Sequence, residues 1–231
     1  MLEPTPTSCL PQARALGASP RWASARADDY RPVTVRDLLR TEEYERLRPE
    51  LRPKMLEYKR QRRVLVGDYL NLSFEDRHTV QYQLQEMQRA EGAWSHQRLV
   101  RELDEYNALL SGALARGCTM FIELPQHAPC TLNSGTIRHL HEHLYLRLRD
   151  GRRVRPQRVC QTGPSDLGLV RFLRFPSCEA PPCAVGVDHP VMRSEAPLEL
   201  TLETALSSTS SRGTGPDTTD ALETLFTRVD D

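Results

Sequence analysis

The side chains best placed by type and spacing to do chemistry lie along Phe74 to Gly92. Counted at 100° per residue, Val80, Leu84, Met87 and Glu91 fall within about 40° of one another, the spacing of a helix's core stripe, with a carboxylate at its end. Arg77 and Gln83 lie about 60° to either side of that stripe, so a guanidinium, an amide and a carboxylate all approach the interior. Glu102, beside the stripe Leu99, Leu103, Tyr106 and Leu110 of a following helix, can join them. Such a set can line a polar pocket for a metal, an anion or a small ligand. It can equally be structural, with Arg77 paired to a buried acid and Glu91 capping backbone at the helix end.

Other clusters suggest other chemistry. His139, His141 and His143 surround Glu142. On a helix the first and last share a face, and on a strand all three do, so imidazole coordination of a metal is within reach. Glu75 and His78 have the Glu-x-x-His spacing of di-iron bundles, but that site needs two such motifs and further glutamates, and Asp76 reads as a helix N-cap. Asp188 and His189 end an apolar run and resemble half of a catalytic dyad, or a turn with a capping aspartate. Arg147, Arg149, Arg152, Arg153, Arg155 and Arg158 flank an Asp150-Gly151 turn and could form a basic ribbon for RNA or an acidic partner. Few aromatic residues interleave with them, which disfavours nucleic acid.

The elements that must position these groups follow from periodicity. Thr34 can cap a helix through Leu38, Leu39 and Leu47, which Pro49 ends or kinks before a second helical stretch with Leu51, Met55, Leu56 and Tyr58. A hairpin over Val64–Val66 and Leu70–Phe74 follows, turning at Gly67-Asp68. The helix opening near Asp76 is interrupted at Gly92, and Ser95 caps the next one, giving an antiparallel pair that sets Glu102 opposite Gln83 to Met87 rather than opposite Glu91. Strands are expected at 119–124, 144–149, 153–159, 169–175, 184–187 and 198–202. The fold class is α+β: N-terminal helices and a helix pair packed on a mainly antiparallel sheet.

With 231 residues the chain suffices for one domain with a proper core, expected over 33–206, between a disordered extension at 1–32 and a flexible tail at 207–231. Lys+Arg and Asp+Glu each total 31, so net charge gives no case for wholesale binding to nucleic acid or membrane. No segment has the ~20 apolar residues of a membrane span, and none resembles a secretory signal. A soluble, cytoplasmic protein is expected. In that compartment the six cysteines are free thiols, and Cys178 and Cys183 are the one close pair.

The segments Phe74–Arg77, Gln81–Gln83, Gln85–Glu91, Glu102–Asn107, Phe121–Glu123, Arg171–Phe175 and Gly186–Pro190 together resemble an uncharacterised bacterial family, domain of unknown function 3501, over roughly residues 33 to 205. No catalytic role or cofactor comes with that resemblance. Its members' genes lie near those of rubrerythrin-like and iron–sulfur oxidoreductase proteins, which implies a role around peroxide handling or redox metabolism with such proteins as partners. The expectation is an accessory or ligand-binding protein of a redox system, with its pocket among Arg77, Gln83, Glu91, Glu102, Asp188 and His189. The alternatives are a metal-dependent enzyme with carboxylate and histidine ligands, and a basic-hairpin interaction module.

Overall fold

The computed structural model describes residues 31–92, 94–110, 116–124, 133–159 and 169–199. All but the last two residues of the expected N-terminal extension, all but the first residues of the 198–202 strand, the C-terminal tail and Cys9, Cys130 and Cys160 lie outside them. The architecture is α+β. A five-stranded antiparallel sheet has the order β1 (Arg63–Val66), β2 (Leu70–Phe74), β3 (Arg116–Ile122), β7 (Val170–Phe175), β6 (Gln157–Arg158). A four-stranded one has the order β5 (Arg153–Val154), β4 (Leu144–Leu148), β8 (Pro182–His189), β9 (Met192–Pro197). Period-two alternation sends Leu72, Phe74, Cys118, Met120, Leu173 and Phe175 of the first sheet against Leu144, Leu146, Val185 and Val187 of the second, in one continuous core.

Three helices follow the sheet's opposite side: α1 (Thr41–Arg60) packs on α2 (Arg77–Glu91), α2 on α3 (His96–Leu110), and α3 on β3 and β7. α1 buries Tyr44, Leu51, Met55 and Tyr58 against Tyr82 of α2, while Val80 and Leu84 of α2 meet Leu103 and Leu110 of α3. The first turns of α2 are therefore enclosed on every side, and Arg77 through Tyr82 are all buried. Other amides of α2 and α3 hold the N-terminal segment. Gln85 accepts from Leu39 N at 2.6 Å, Gln81 donates to Asp37 O, and Asn107 pairs with both backbone groups of Val33 at 2.7 and 2.8 Å.

Three expectations need correction, and one strand is an addition to them. Thr34 caps only a single 3-10 turn, Val35–Asp37, through a capping box with Asp37. Pro49 does not end a helix: α1 runs unbroken through Pro49 and Pro53. Both prolines are exposed and four residues apart, so the missing backbone bonds open to water on one face while the buried stripe anchors the other. The strand expected at 153–159 splits at Pro156, which cannot donate to a ladder, and its halves join different sheets. Among the described residues the last strand is β9, which was not expected. Its exposed and half-buried positions, among them Arg193 and Glu195, hid it from an apolar-pattern reading.

Candidate functional site

Two adjacent carboxylates, Glu75 and Asp76, join β2 to α2 and have opposite surroundings. Asp76 is fully buried and fully used. As N-cap it accepts Thr79 N at 3.0 Å, while its own N donates to Thr79 Oγ1 at 2.9 Å. Its other oxygen receives the Tyr58 hydroxyl and the Arg62 guanidinium, which in turn donates to Tyr58 at 2.9 Å. Burial alone would raise the Asp76 carboxyl, but Arg62, His78, Tyr58 and the Thr79 amide outweigh it and hold it below the ordinary aspartate value.

Glu75 is 8% exposed, and its carboxylate makes no hydrogen bond or ion pair among the described residues. Its backbone amide is satisfied by Gly117 O at 2.9 Å, so the side chain alone is left over. It opens into a cleft of about 220 Å³. The floor is the helix-facing side of the sheet, where register sets Thr119 opposite Phe172 and Phe121 opposite Val170. One wall is the α2 face with Val80 and Gln83, another is Tyr106 of α3, and Lys59 closes the α1 end. Tyr106 leans on Phe172 with ring centroids 5.2 Å apart. Burial and the neighbouring Glu102 and Glu75 push its phenol up to about 12, so it stays a protonated donor at neutral pH. Gly117 makes this geometry possible, because a Cβ there would lie 2.9 Å from Leu109 Cβ and hold α3 away from the sheet.

The six residues expected to share a pocket are dispersed. Gln83 lines the cleft. Arg77 is bound to Asp37 at 2.6 Å and reaches Pro32 O at 3.4 Å, the structural role open to it from the start. Glu91 and Glu102 are joined through Arg98, whose Nε lies 3.8 Å from Glu102, and Glu91 also accepts from Trp94 Nε1 at 3.1 Å instead of capping backbone. Asp188 and His189 lie at the end of β8, in the four-stranded sheet.

There Asp188 borders an open groove and is held by Arg155 at 2.8 Å, Arg153 at 3.6 Å and His143 at 3.5 Å, with Arg155 first in holding its carboxyl down. His143 meets His189 edge-on at 4.6 Å. The histidine cluster diverges: His139 pairs with Glu142 at 2.9 Å, and His141 is buried, its imidazole pushed down chiefly by that burial. Among the described residues no group of three or more His, Cys, Asp or Glu could hold a metal. The hairpin arginines do not form one ribbon either. Arg147 bonds Glu195 at 2.9 Å, Arg152 bonds Asp150 at 2.8 Å, and Arg158 sits in the other sheet. Cys118, Cys178 and Cys183 are free thiols.

Sequence reasoning passed over Lys59, Glu75, Thr119, Tyr106, Phe121 and Phe172 as a set. Signals existed: two acids stand before one helix that can use only one as a cap, and a threonine interrupts an apolar strand. Glu75, Gln83, Tyr106, Phe121 and Phe172 all fall within the segments that carried the family resemblance.

Known proteins give the fold and no activity. Residues 32–209 match the family described as Protein of unknown function (DUF3501). A crystal structure of a novel protein of unknown function from Burkholderia pseudomallei K96243 is similar with a TM-score of 0.67 at 24% identity, covering 76% of this chain and 97% of that one. At that identity the likeness speaks for the fold alone. No curated protein matches the chain. No helix among the described residues is long and apolar enough to cross a membrane.

Proposed function

The chain belongs to the DUF3501 family, and from its geometry we propose that it is a small-molecule-binding protein whose ligand enters the cleft under α2 and is anchored by Glu75. One observation carries this reading: a glutamate only 8% exposed has no side-chain hydrogen bond or ion pair among the described residues and lines a cleft of about 220 Å³. A polar group withdrawn from water without a hydrogen bond costs about 1–3 kcal/mol, more if charged, so native folds place such groups where a ligand completes them. The volume suits a small ligand. An engineered apolar cavity of roughly 150 Å³ admits benzene, and this cleft is larger.

The redox or peroxide-handling setting, with rubrerythrin-like or iron–sulfur oxidoreductase partners, is part of this proposal on the strength of the family resemblance. The described thiols lend it no separate support, since burial and Glu75 push the Cys118 thiol well above its ordinary value, which makes it a poor nucleophile.

The test is a nuclear magnetic resonance titration of the full chain with a library of neutral, cationic and anionic ring compounds. Binding that perturbs Val80, Thr119, Phe121 and Phe172 together is expected. Folded protein that binds no member at millimolar concentration, or binds only at the Asp188 groove, would overturn the reading.

A further inference from the structure

Glu75 is not the only polar side chain of the cleft without a hydrogen bond or ion pair among the described residues. Lys59 lines the same space half-buried, and its ammonium makes no ion pair or hydrogen bond among the described residues, only a cation–π contact 5.8 Å from the Tyr82 ring centroid. It does not pair with Glu75 across the cleft, although ion pairs are plentiful elsewhere on α1, such as Lys54–Glu50 at 3.0 Å and Arg60–Glu57 at 2.8 Å. The side chains of Gln83 and Thr119 likewise make no hydrogen bond among the described residues. A carboxylate, an ammonium, an amide and a hydroxyl, none with a side-chain hydrogen bond or ion pair among the described residues, thus line one cleft with Phe121, Phe172 and Tyr106.

Resting on the binding role proposed above, we propose that the ligand is a zwitterion, an α-amino acid with an apolar side chain, its ammonium on Glu75, its carboxylate on Lys59 and its side chain against the aromatic floor. The charge pattern selects against the simpler classes. A plain amine would leave Lys59 facing an apolar, partly desolvated space, and a plain carboxylate would leave Glu75 so. A neutral ring compound would leave both charges unmatched. A zwitterion satisfies both, while Gln83 and Thr119 offer the remaining donors and acceptors to its polar end. Separated opposite charges in the empty cleft are what a receptor for a dipolar molecule needs, because a direct Lys59–Glu75 bond would have to be broken on binding.

The experiment is isothermal titration of the full chain with phenylalanine, leucine and tryptophan, and with three relatives of phenylalanine: 2-phenylethylamine, 3-phenylpropionate and 2-phenylethanol. Glu75→Gln and Lys59→Met are titrated beside the wild type, with their folding checked by thermal unfolding. Each charged contact is expected to contribute about ten- to a hundredfold in affinity. At least one amino acid should therefore bind at least about tenfold more tightly than either singly charged relative. Glu75→Gln should weaken the amino acid and the amine but spare 3-phenylpropionate, and Lys59→Met should do the reverse for the two relatives. If 2-phenylethylamine or 2-phenylethanol binds as tightly as the best amino acid, the zwitterion assignment falls while the binding role stands. If no amino acid binds to the folded protein, the assignment falls as well, and the wider library decides the binding role separately.

Discussion

Glu75 and Asp76 are neighbours of nearly identical chemistry, and the chain treats them as opposites. Asp76 collects an amide, a hydroxyl and a guanidinium, ties α1 to the start of α2 and leaves no capacity unused. One residue earlier the other side chain lines the cleft and makes no hydrogen bond or ion pair among the described residues. Burial is comparable in the two places, so burial alone does not mark a site. The accounting of partners does: a saturated buried charge is a structural device, and an unsatisfied one is held for something absent from the fold.

That contrast can be broken most forcefully at its structural half. Asp76→Ala leaves Arg62 and Tyr58 buried without their partner, and breaking such a buried pair costs about 3–5 kcal/mol. Urea unfolding should show it, and a loss under about 1 kcal/mol would mean the network is ornamental. The same group fixes a pH dependence. Its folded pKa is depressed, so its contribution is present above the unfolded value near 4 and is lost as pH falls through the folded value. Wild-type stability should drop below about pH 4, and the loss should be shallower in Asp76→Asn if Asp76 is its main source.

Gly117 tests whether the cleft depends on close helix–sheet approach. Gly117→Ala drives a methyl into Leu109 and should cost about 1–3 kcal/mol while displacing Tyr106. The readout is lost cleft binding with the Tyr58–Asp76–Arg62 network intact. Glu75 supplies the opposite sign to Asp76. Glu75→Leu replaces a mostly buried acid that has no side-chain hydrogen bond among the described residues and should stabilise the ligand-free protein by about 1 kcal/mol, read in the same urea experiment. Destabilisation would show that Glu75 has a partner after all. Smallest of all, Lys59→Met should shift stability by no more than about 0.5 kcal/mol, because its ammonium makes no bond among the described residues.

Much of the frame was legible in advance for a definite reason. The β1–β2 hairpin, the Asp76 and Ser95 caps, the Asp150-Gly151 turn and the two-helix unit are all written in local patterns. Pro49 misled because a rule about helix interiors assumes no compensating buried face, and Tyr44, Leu51, Met55 and Tyr58 supply one. The polar pocket was harder. Arg77 looked available by helical angle, but its actual partner, Asp37, is forty residues away in sequence and is brought close only by the packing of the N-terminal segment on α2.

What the sequence by itself determined is where elements start, stop and turn, that the chain is α+β, and that polar groups crowd the buried stretch after Phe74. Those properties depend on residues a few positions apart, and local physics reads them. Which of the polar groups are saturated and which are left over was decided only by the tertiary structure. Lys59, Glu75, Tyr106, Thr119 and Phe172 come from α1, the β2–α2 junction, α3, β3 and β7, and only the folding of helices onto a sheet face makes one cleft of them.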